Sequence, residues 1–161
     1  MKKFLLPIMN LVNVVLVSIV FGLGAQTAAL RINTEPKLEL GNWYQLVWQG
    51  SYVEFGKTSA NVLGIIGFFL FVLAVAAILV AFFPTKFRKW VAVGAGAALI
   101  AAGVLFLLTP KNAGLGDAVV TNLKLTSELI GMSVLAFVSG AVLLGMAAIE
   151  IVPMFLKKEA K

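Results

Sequence analysis

The chain contains no cysteine and no histidine. Without cysteine it forms no disulfide, no thiolate metal site and no redox-active dithiol. Without histidine it lacks the commonest general base and the commonest metal ligand of proteins. We therefore expect neither an enzyme activity nor a bound cofactor or metal.

Charged residues are also scarce, at 12% of the 161 residues, whereas hydrophobic residues make up 61%. A soluble domain of this length would need far more polar surface. The composition, with a mean hydropathy of +1.02, predicts an integral membrane protein of one domain. The net charge of +6 does not indicate nucleic-acid binding, because the basic residues concentrate beside the apolar runs.

Four apolar runs predict membrane-spanning helices at residues 4–30, 61–83, 90–109 and 128–156. A run of about 20 apolar residues is long enough to cross the hydrocarbon of a bilayer as a helix. The expected fold class is an all-α, four-helix, up-and-down bundle made by the single domain 1–161. Residues 31–60 are expected to form a small extracytoplasmic loop domain.

The positions of Lys and Arg predict how this bundle sits in the cell membrane. Short cytoplasmic loops collect basic residues, and residues 84–89 hold three of them. If this turn and both termini are cytoplasmic, eight of the 13 basic residues lie inside and five outside. The basic start before an apolar run also fits a signal peptide cleaved near Ala25–Ala29, but we favour a retained first helix because the run is longer than a typical signal core.

The loop 31–60 carries the aromatic residues that we take as its candidate binding surface: Trp43, Tyr44, Trp48, Tyr52 and Phe55. The β-forming residues 46–48 and 52–55 flank a Gly-containing turn and predict a β-hairpin. The i, i+4, i+8 spacing of Tyr44, Trp48 and Tyr52 fits an interfacial helix as a rival. The aromatic residues are expected either to anchor the loop at the membrane interface or to contact a partner.

Glu150 is the one acidic residue well inside a predicted span, where a carboxylate is costly and usually faces protein or water. Asn10 lies at a similar depth in the first span, about 9 Å of helix from its cytoplasmic boundary, and Asn13 lies one turn further in. The first and fourth helices of an up-and-down bundle are commonly neighbours. We therefore predict an intramembrane polar cluster in which Glu150 hydrogen-bonds to Asn10, to Asn13 or to both.

Helices in a membrane meet through small residues and a few polar groups, at positions spaced three and four apart. The predicted seam of the first span is Asn10, Asn13, Val17, Val20, Gly24 and Thr27. That of the second is Ala60, Gly64, Gly67, Phe71, Ala74, Ile78 and Ala81. The third offers Gly94, Ala98, Ala101, Leu105 and Leu108, and the fourth offers Ser133, Ala136, Gly140, Leu143, Ala147 and Glu150.

The four spans, the cytoplasmic termini and the long first outer loop with Trp43 and Trp48 resemble the arrangement of claudin-type tetraspan proteins. In that family the first loop forms a small extracellular sheet that contacts partners. The Gly-Leu-Trp motif and the two loop cysteines of the family are missing here, so the resemblance covers topology alone. Small four-helix multidrug exporters are similar in span count, but they carry a carboxylate deep in the first span, where this chain has Asn10 and Asn13.

The expected function is that of a non-enzymatic scaffold, accessory subunit or contact protein that acts through its aromatic loop. The expected partners are the lipid bilayer and either another membrane protein or further copies of the chain. The alternative is a small oligomeric transporter or channel that uses Glu150 with Asn10 and Asn13. A water-filled path to Glu150 would favour the alternative, and a dry bundle with an exposed aromatic loop would favour the first function.

Overall fold

The computed structural model describes residues 2–26, 28–32, 38–43, 47–48, 51–52, 56–57, 61–83, 86–109 and 123–159. Side chains are described for residues 5–26, 43, 47–48, 61–83, 86–109 and 125–153. Across these ranges the chain forms four long helices and five short strands.

The long helices are α1 Lys2–Gln26, α2 Val62–Val80, α3 Arg88–Leu108 and α4 Ser127–Glu159. Their parts that are long and apolar enough to cross a membrane are Leu5–Gln26, Val62–Val80, Arg88–Leu108 and Ser127–Pro153. The predicted fold class is thus confirmed at the level of four such helices in one helical bundle. The first helix is shorter than expected, because residues 28–30 belong to a strand.

The strands are β1 Ala28–Ile32, β2 Leu38–Asn42, β3 Ser51–Tyr52, β4 Gly56–Lys57 and β5 Leu123–Leu125. A three-stranded antiparallel sheet has the order β2-β1-β5, and β3 pairs with β4 separately. In the larger sheet Leu30 lies opposite both Leu40 and Leu125. Because β1 follows α1 and β5 precedes α4, their pairing ties the ends of these two helices together.

The structure does not support the hairpin expected from residues 46–48 and 52–55. Val47 is helical, and Tyr52 pairs with Gly56 in the short β3–β4 ladder. Val47 is fully buried, and its carbonyl oxygen accepts a hydrogen bond from the Asn61 N–H at 3.1 Å. The segment therefore packs onto the bundle instead of pairing as a strand. The rival helix does not reach Tyr52, which lies in β3; Trp43 and Val47 are helical, and Tyr44 lies outside the described residues.

The helices pack in the spatial order α2, α3, α4, α1, with the most extensive contact between α3 and α4. The first and second helices meet through few contacts. Successive helices run in opposite directions, so Leu6, Ala81, Arg88 and Met146 all lie at one end of the bundle. We name this the turn end, after the turn between α2 and α3, and name the opposite end, which holds β1, β2 and β5, the sheet end.

The buried faces of three helices are those that the sequence predicts. In α2 the buried residues are Gly64, Gly67, Phe71, Ala74 and Ile78. Most predicted residues of α1 and α4 are buried as well: Asn10, Asn13, Val17, Val20 and Gly24 in α1, and Ser133, Ala136, Gly140, Leu143 and Ala147 in α4. Glu150, the last residue of the predicted α4 seam, is half-buried. Thr27 and Ala60, the outermost members of two seams, lie outside the described residues.

The predicted face of α3 is wrong. Its buried residues are Ala92, Ala95, Gly96, Leu99, Ala102, Gly103 and Phe106, whereas the predicted Gly94 and Ala101 are exposed. A tract this rich in Ala and Gly offers a small-residue seam on every side. Phe106 fixes the rotation of α3 about its axis. Its ring packs edge-on against that of Phe71, with 6.0 Å between centroids, and both rings are buried in the core.

The contact between α3 and α4 depends on two facing glycines. A Cβ atom on Gly140 would lie 2.8 Å from the Gly96 carbonyl oxygen, and one on Gly96 would lie 2.9 Å from the Gly140 carbonyl oxygen. Real Cβ atoms do not approach backbone this closely. The absence of both side chains therefore allows the two backbones to touch, as small residues do between membrane helices.

Candidate functional site

The aromatic residue Trp43 lies in the core at the sheet end. It is 2% exposed, and its ring centroid is 4.6 Å from that of Phe106 and 6.4 Å from that of Phe68. The prediction that Trp43 belongs to the binding surface of the loop is therefore wrong. Its large apolar ring gains more from burial between two helices than from an exposed position.

Trp48 is the exposed aromatic residue of the described loop positions. Its side chain is 42% exposed, and the inner part of the ring rests edge-on against Phe68, with 5.9 Å between centroids. The Trp48 ring is therefore accessible, and its role as a contact residue stays a prediction. The side chains of Tyr44, Tyr52 and Phe55 lie outside the described residues, so their place on the loop surface stays a prediction.

Asn61 joins the loop to two helices at the sheet end. Its backbone N–H donates to the Val47 carbonyl, and its Oδ1 atom accepts from the Gly64 N–H at 3.0 Å. Its Nδ2 atom donates to the carbonyl oxygen of Thr109, at the end of α3. The side chain is 1% exposed, so all three bonds are shielded from water. An Asn before an apolar run signals a helix N-cap, but nothing local indicates the bond to Thr109.

Asn13 links α1 to α4 in the middle of the bundle. The Ser139 hydroxyl donates to Asn13 Oδ1 at 2.9 Å, and Asn13 Nδ2 donates to the Met146 sulfur at 3.7 Å. Asn13 and Ser139 are each 0% exposed. The sequence correctly places the asparagine on the contact face of α1, but its partners are a serine and a methionine of α4.

Asn10 links α1 to α2 nearer the turn end. Its Nδ2 atom donates to the Ile78 carbonyl oxygen at 3.2 Å, and the residue is 1% exposed. This is a bridge between two neighbouring helices that otherwise make few contacts. Only a tertiary structure brings the asparagine to that carbonyl, because 68 residues separate them.

Glu150 forms an ion pair with Arg88, and its predicted hydrogen bonds to Asn10 and Asn13 are not formed. The two side chains are 26% exposed for Arg88 and 19% for Glu150. Arg88 begins α3, the helix that packs most closely on α4, and a cation compensates a half-buried carboxylate better than a neutral amide does. Arg88 belongs to the basic turn at residues 84–89 and is interpreted there as a topology signal, so the sequence does not indicate it as the partner of Glu150.

No family model, curated protein or solved structure matches this chain.

The polar groups of the described bundle act as bridges between elements. Asn61, Asn13, Asn10 and the Arg88–Glu150 pair each connect two helices. Buried hydrogen bonds of this kind orient helices that lipid-like apolar surfaces alone would not orient. The arrangement fixes the relative positions of the helices and, through Asn61, the position of the loop.

Proposed function

We propose that the chain is a non-enzymatic, four-span membrane protein that acts as a scaffold, accessory subunit or contact protein through its extracytoplasmic loop. The observation that carries the proposal is the attachment of the loop to the bundle. Trp43 is clamped between Phe68 and Phe106, Val47 is bonded to Asn61, and the ring of Trp48 is left partly exposed.

The loop positions held in this way, Trp43, Val47 and Trp48, present a preorganised surface. Binding to such a surface costs less conformational entropy than binding to a chain that must first become ordered. Partly exposed tryptophans are common anchors of protein interfaces. The three-stranded sheet β2-β1-β5 lies at the same end of the bundle, where the claudin-type arrangement implies a small sheet that contacts partners.

The proposed location is the plasma membrane. In the proposed orientation the sheet end lies outside the cell and both termini lie in the cytoplasm. The basic residues of the turn end support this orientation. Lys86 is exposed there, and Arg88 and Lys89 are half-buried. Basic residues favour the cytoplasmic side. Since the helices alternate in direction, the start of α1 and the end of α4 then lie on that same side.

Single cysteines introduced into this cysteine-free chain test the orientation. Lys57→Cys and Asp117→Cys should react with an impermeant thiol reagent added to intact cells. Thr85→Cys and Ala160→Cys should react only after the membrane is made permeable. The reverse pattern would place the sheet end in the cytoplasm and overturn the proposed orientation.

A photoreactive amino acid at position 48 tests the contact function. In native membranes it should form an adduct with a discrete protein, either a partner or a second copy of this chain. The same group at position 69 is the matched control, because Phe69 is 55% exposed on the outer face of α2 and should yield lipid adducts. Lipid adducts at both positions would contradict a protein contact at Trp48.

The transporter or channel that would use Glu150 with Asn10 and Asn13 receives less support. Glu150 is bound to Arg88, Asn13 is bound to Ser139, and no hydrogen bond joins the carboxylate to either asparagine. The centre of the described bundle is filled by large side chains that are 2% exposed or less, among them Leu99, Phe106, Met132 and Leu143.

A further inference from the structure

A small cavity lies at the turn end, where all four helices come together. Its volume is about 30 Å³, and Asn10 and Arg88 are the polar residues among those that line it. Leu6, Ala81 and Met146 supply much of the apolar wall. The cavity therefore adjoins both the bridge between α1 and α2 and the ion pair between α3 and α4.

The Asn10 side chain presents an unused acceptor at this site. Because the Ile78 carbonyl accepts a hydrogen bond, the atom that faces it must be the Nδ2 nitrogen, which fixes the orientation of the amide. The other atom, Oδ1, is buried and has no hydrogen-bond partner among the described residues. Buried carbonyl oxygens are seldom left in this condition, since the loss of hydration is costly.

The size and charge of the cavity decide what it can hold. A water molecule needs about 10–15 Å³ of cavity measured in this way, so the volume admits one or two waters. The Arg88 guanidinium opposes a cation, while Asn10 Oδ1 opposes an anion and the Arg88 charge is already neutralised by Glu150. A neutral molecule that both donates and accepts hydrogen bonds satisfies every group.

We propose that this cavity is a water-binding site inside the bundle. One water donates a hydrogen bond to Asn10 Oδ1 and accepts one from Arg88. Arg88 has the donors to do so, because a guanidinium carries five N–H groups and Glu150 occupies only part of them. The water then connects α1 to the ion pair of α3 and α4 and completes the contact of α1 with the other helices at the turn end.

X-ray radiolysis followed by mass spectrometry tests the site, because hydroxyl radicals formed from a bound water oxidise the side chains beside it. Met146 lines the cavity, whereas Met132 does not, and the two are equally inaccessible at 3% and 2% exposed. In the intact protein, with a radical scavenger in the bulk solution, Met146 should be oxidised several-fold faster than Met132. Equal rates for the two methionines would overturn the proposal.

Two variants fill the cavity by different side chains and separate hydration from misfolding. Asn10→Leu removes the acceptor, and Ala81→Val keeps Asn10 but adds volume at another lining residue. Each should reduce Met146 oxidation to the rate of Met132, while Met132 stays as slow as before and so reports an intact core. If Met146 oxidation persists in both variants with Met132 still protected, the water does not reside between Asn10 and Arg88.

Discussion

The two ends of the bundle are closed by different kinds of contact. At the sheet end an aromatic and aliphatic segment, with Trp43 and Val47 as its buried residues, covers the ends of α2 and α3. At the turn end charged and amide groups meet, with Arg88 paired to Glu150 and Asn10 bonded to the backbone of α2. Side-chain packing is the main closure of the sheet end, where Asn61 adds buried hydrogen bonds, and polar pairing is the main closure of the turn end.

This difference determines which substitutions each end should tolerate. Packing energy is the sum of many small contacts, so it depends on side-chain volume. An ion pair depends on the presence of both partners, because removal of one leaves the other desolvated and uncompensated. Stability at the sheet end should therefore follow changes in size, and stability at the turn end should follow changes in charge balance.

The largest effect is expected for Trp43→Ala at the sheet end. Removal of a buried aromatic ring leaves a cavity and typically costs about 3–5 kcal/mol of unfolding free energy. Trp43→Phe should cost much less, because a ring still fills the space between Phe68 and Phe106. Denaturant titration of the protein in detergent measures both values.

Trp90→Ala is the matched control for this substitution, because Trp90 is 58% exposed on α3. It should change the unfolding free energy little. A loss for Trp43→Ala no larger than for Trp90→Ala would mean that shape does not close the sheet end.

A smaller effect is expected for Glu150→Leu at the turn end. It leaves the half-buried Arg88 without its anion, and an unsatisfied group of this kind costs about 1–3 kcal/mol. The double variant Arg88→Leu, Glu150→Leu removes both charges and should recover most of the loss, as apolar replacement of a buried pair often does. The four-protein thermodynamic cycle gives the coupling energy directly.

Additive losses in that cycle would show that the two side chains do not stabilise each other. Packing would then close the turn end as it closes the sheet end.

The sequence predicts the fold well where a rare residue marks a helix face. Asn10, Asn13 and Ser133 stand out in apolar spans, and each is buried on its predicted face. In α3 no such residue is present, so the small residues leave the rotation of the helix undetermined. The aromatic contacts of Phe106, which set it, join parts of the chain far apart in sequence.

Only part of the candidate site could be predicted from the sequence. The sequence singles out Asn10, Asn13 and Glu150, each of which has a bonding partner in the bundle, but it does not single out those partners. Their actual partners are a backbone carbonyl, a serine with a methionine, and an arginine at a helix start. The depth of a residue along its helix does not identify its bonding partner, because several possible partners lie at each depth. The way the helices cross determines which of them is within reach.

Asn61→Ala should destabilise the sheet end by about 1 kcal/mol, the usual cost of a lost helix N-cap. The variant also leaves the Thr109 carbonyl without the amide that donates to it. Asn61→Asp separates the two contributions, because a carboxylate still caps Gly64 but cannot donate to Thr109. If Asp restores full stability, the link between α2 and α3 contributes nothing and Asn61 serves as a cap alone.

The smallest effects are expected from two glycines, one near each end. A Cβ atom on Gly64 would lie 3.0 Å from the Val47 Cγ2 atom and 3.1 Å from the Thr109 Cγ2 atom, whereas one on Gly94, in the turn-end half of α3, would meet nothing within 4 Å. Gly94→Ala should therefore stabilise the protein by up to about 1 kcal/mol through helix propensity. Gly64→Ala should lose this gain, because Val47 and Thr109 must move to admit the methyl group. Thermal unfolding in detergent measures both effects. Equal stabilisation by the two substitutions would show that Val47 does not pack tightly against α2. The sheet end would then be closed less tightly than the contacts of Val47 indicate.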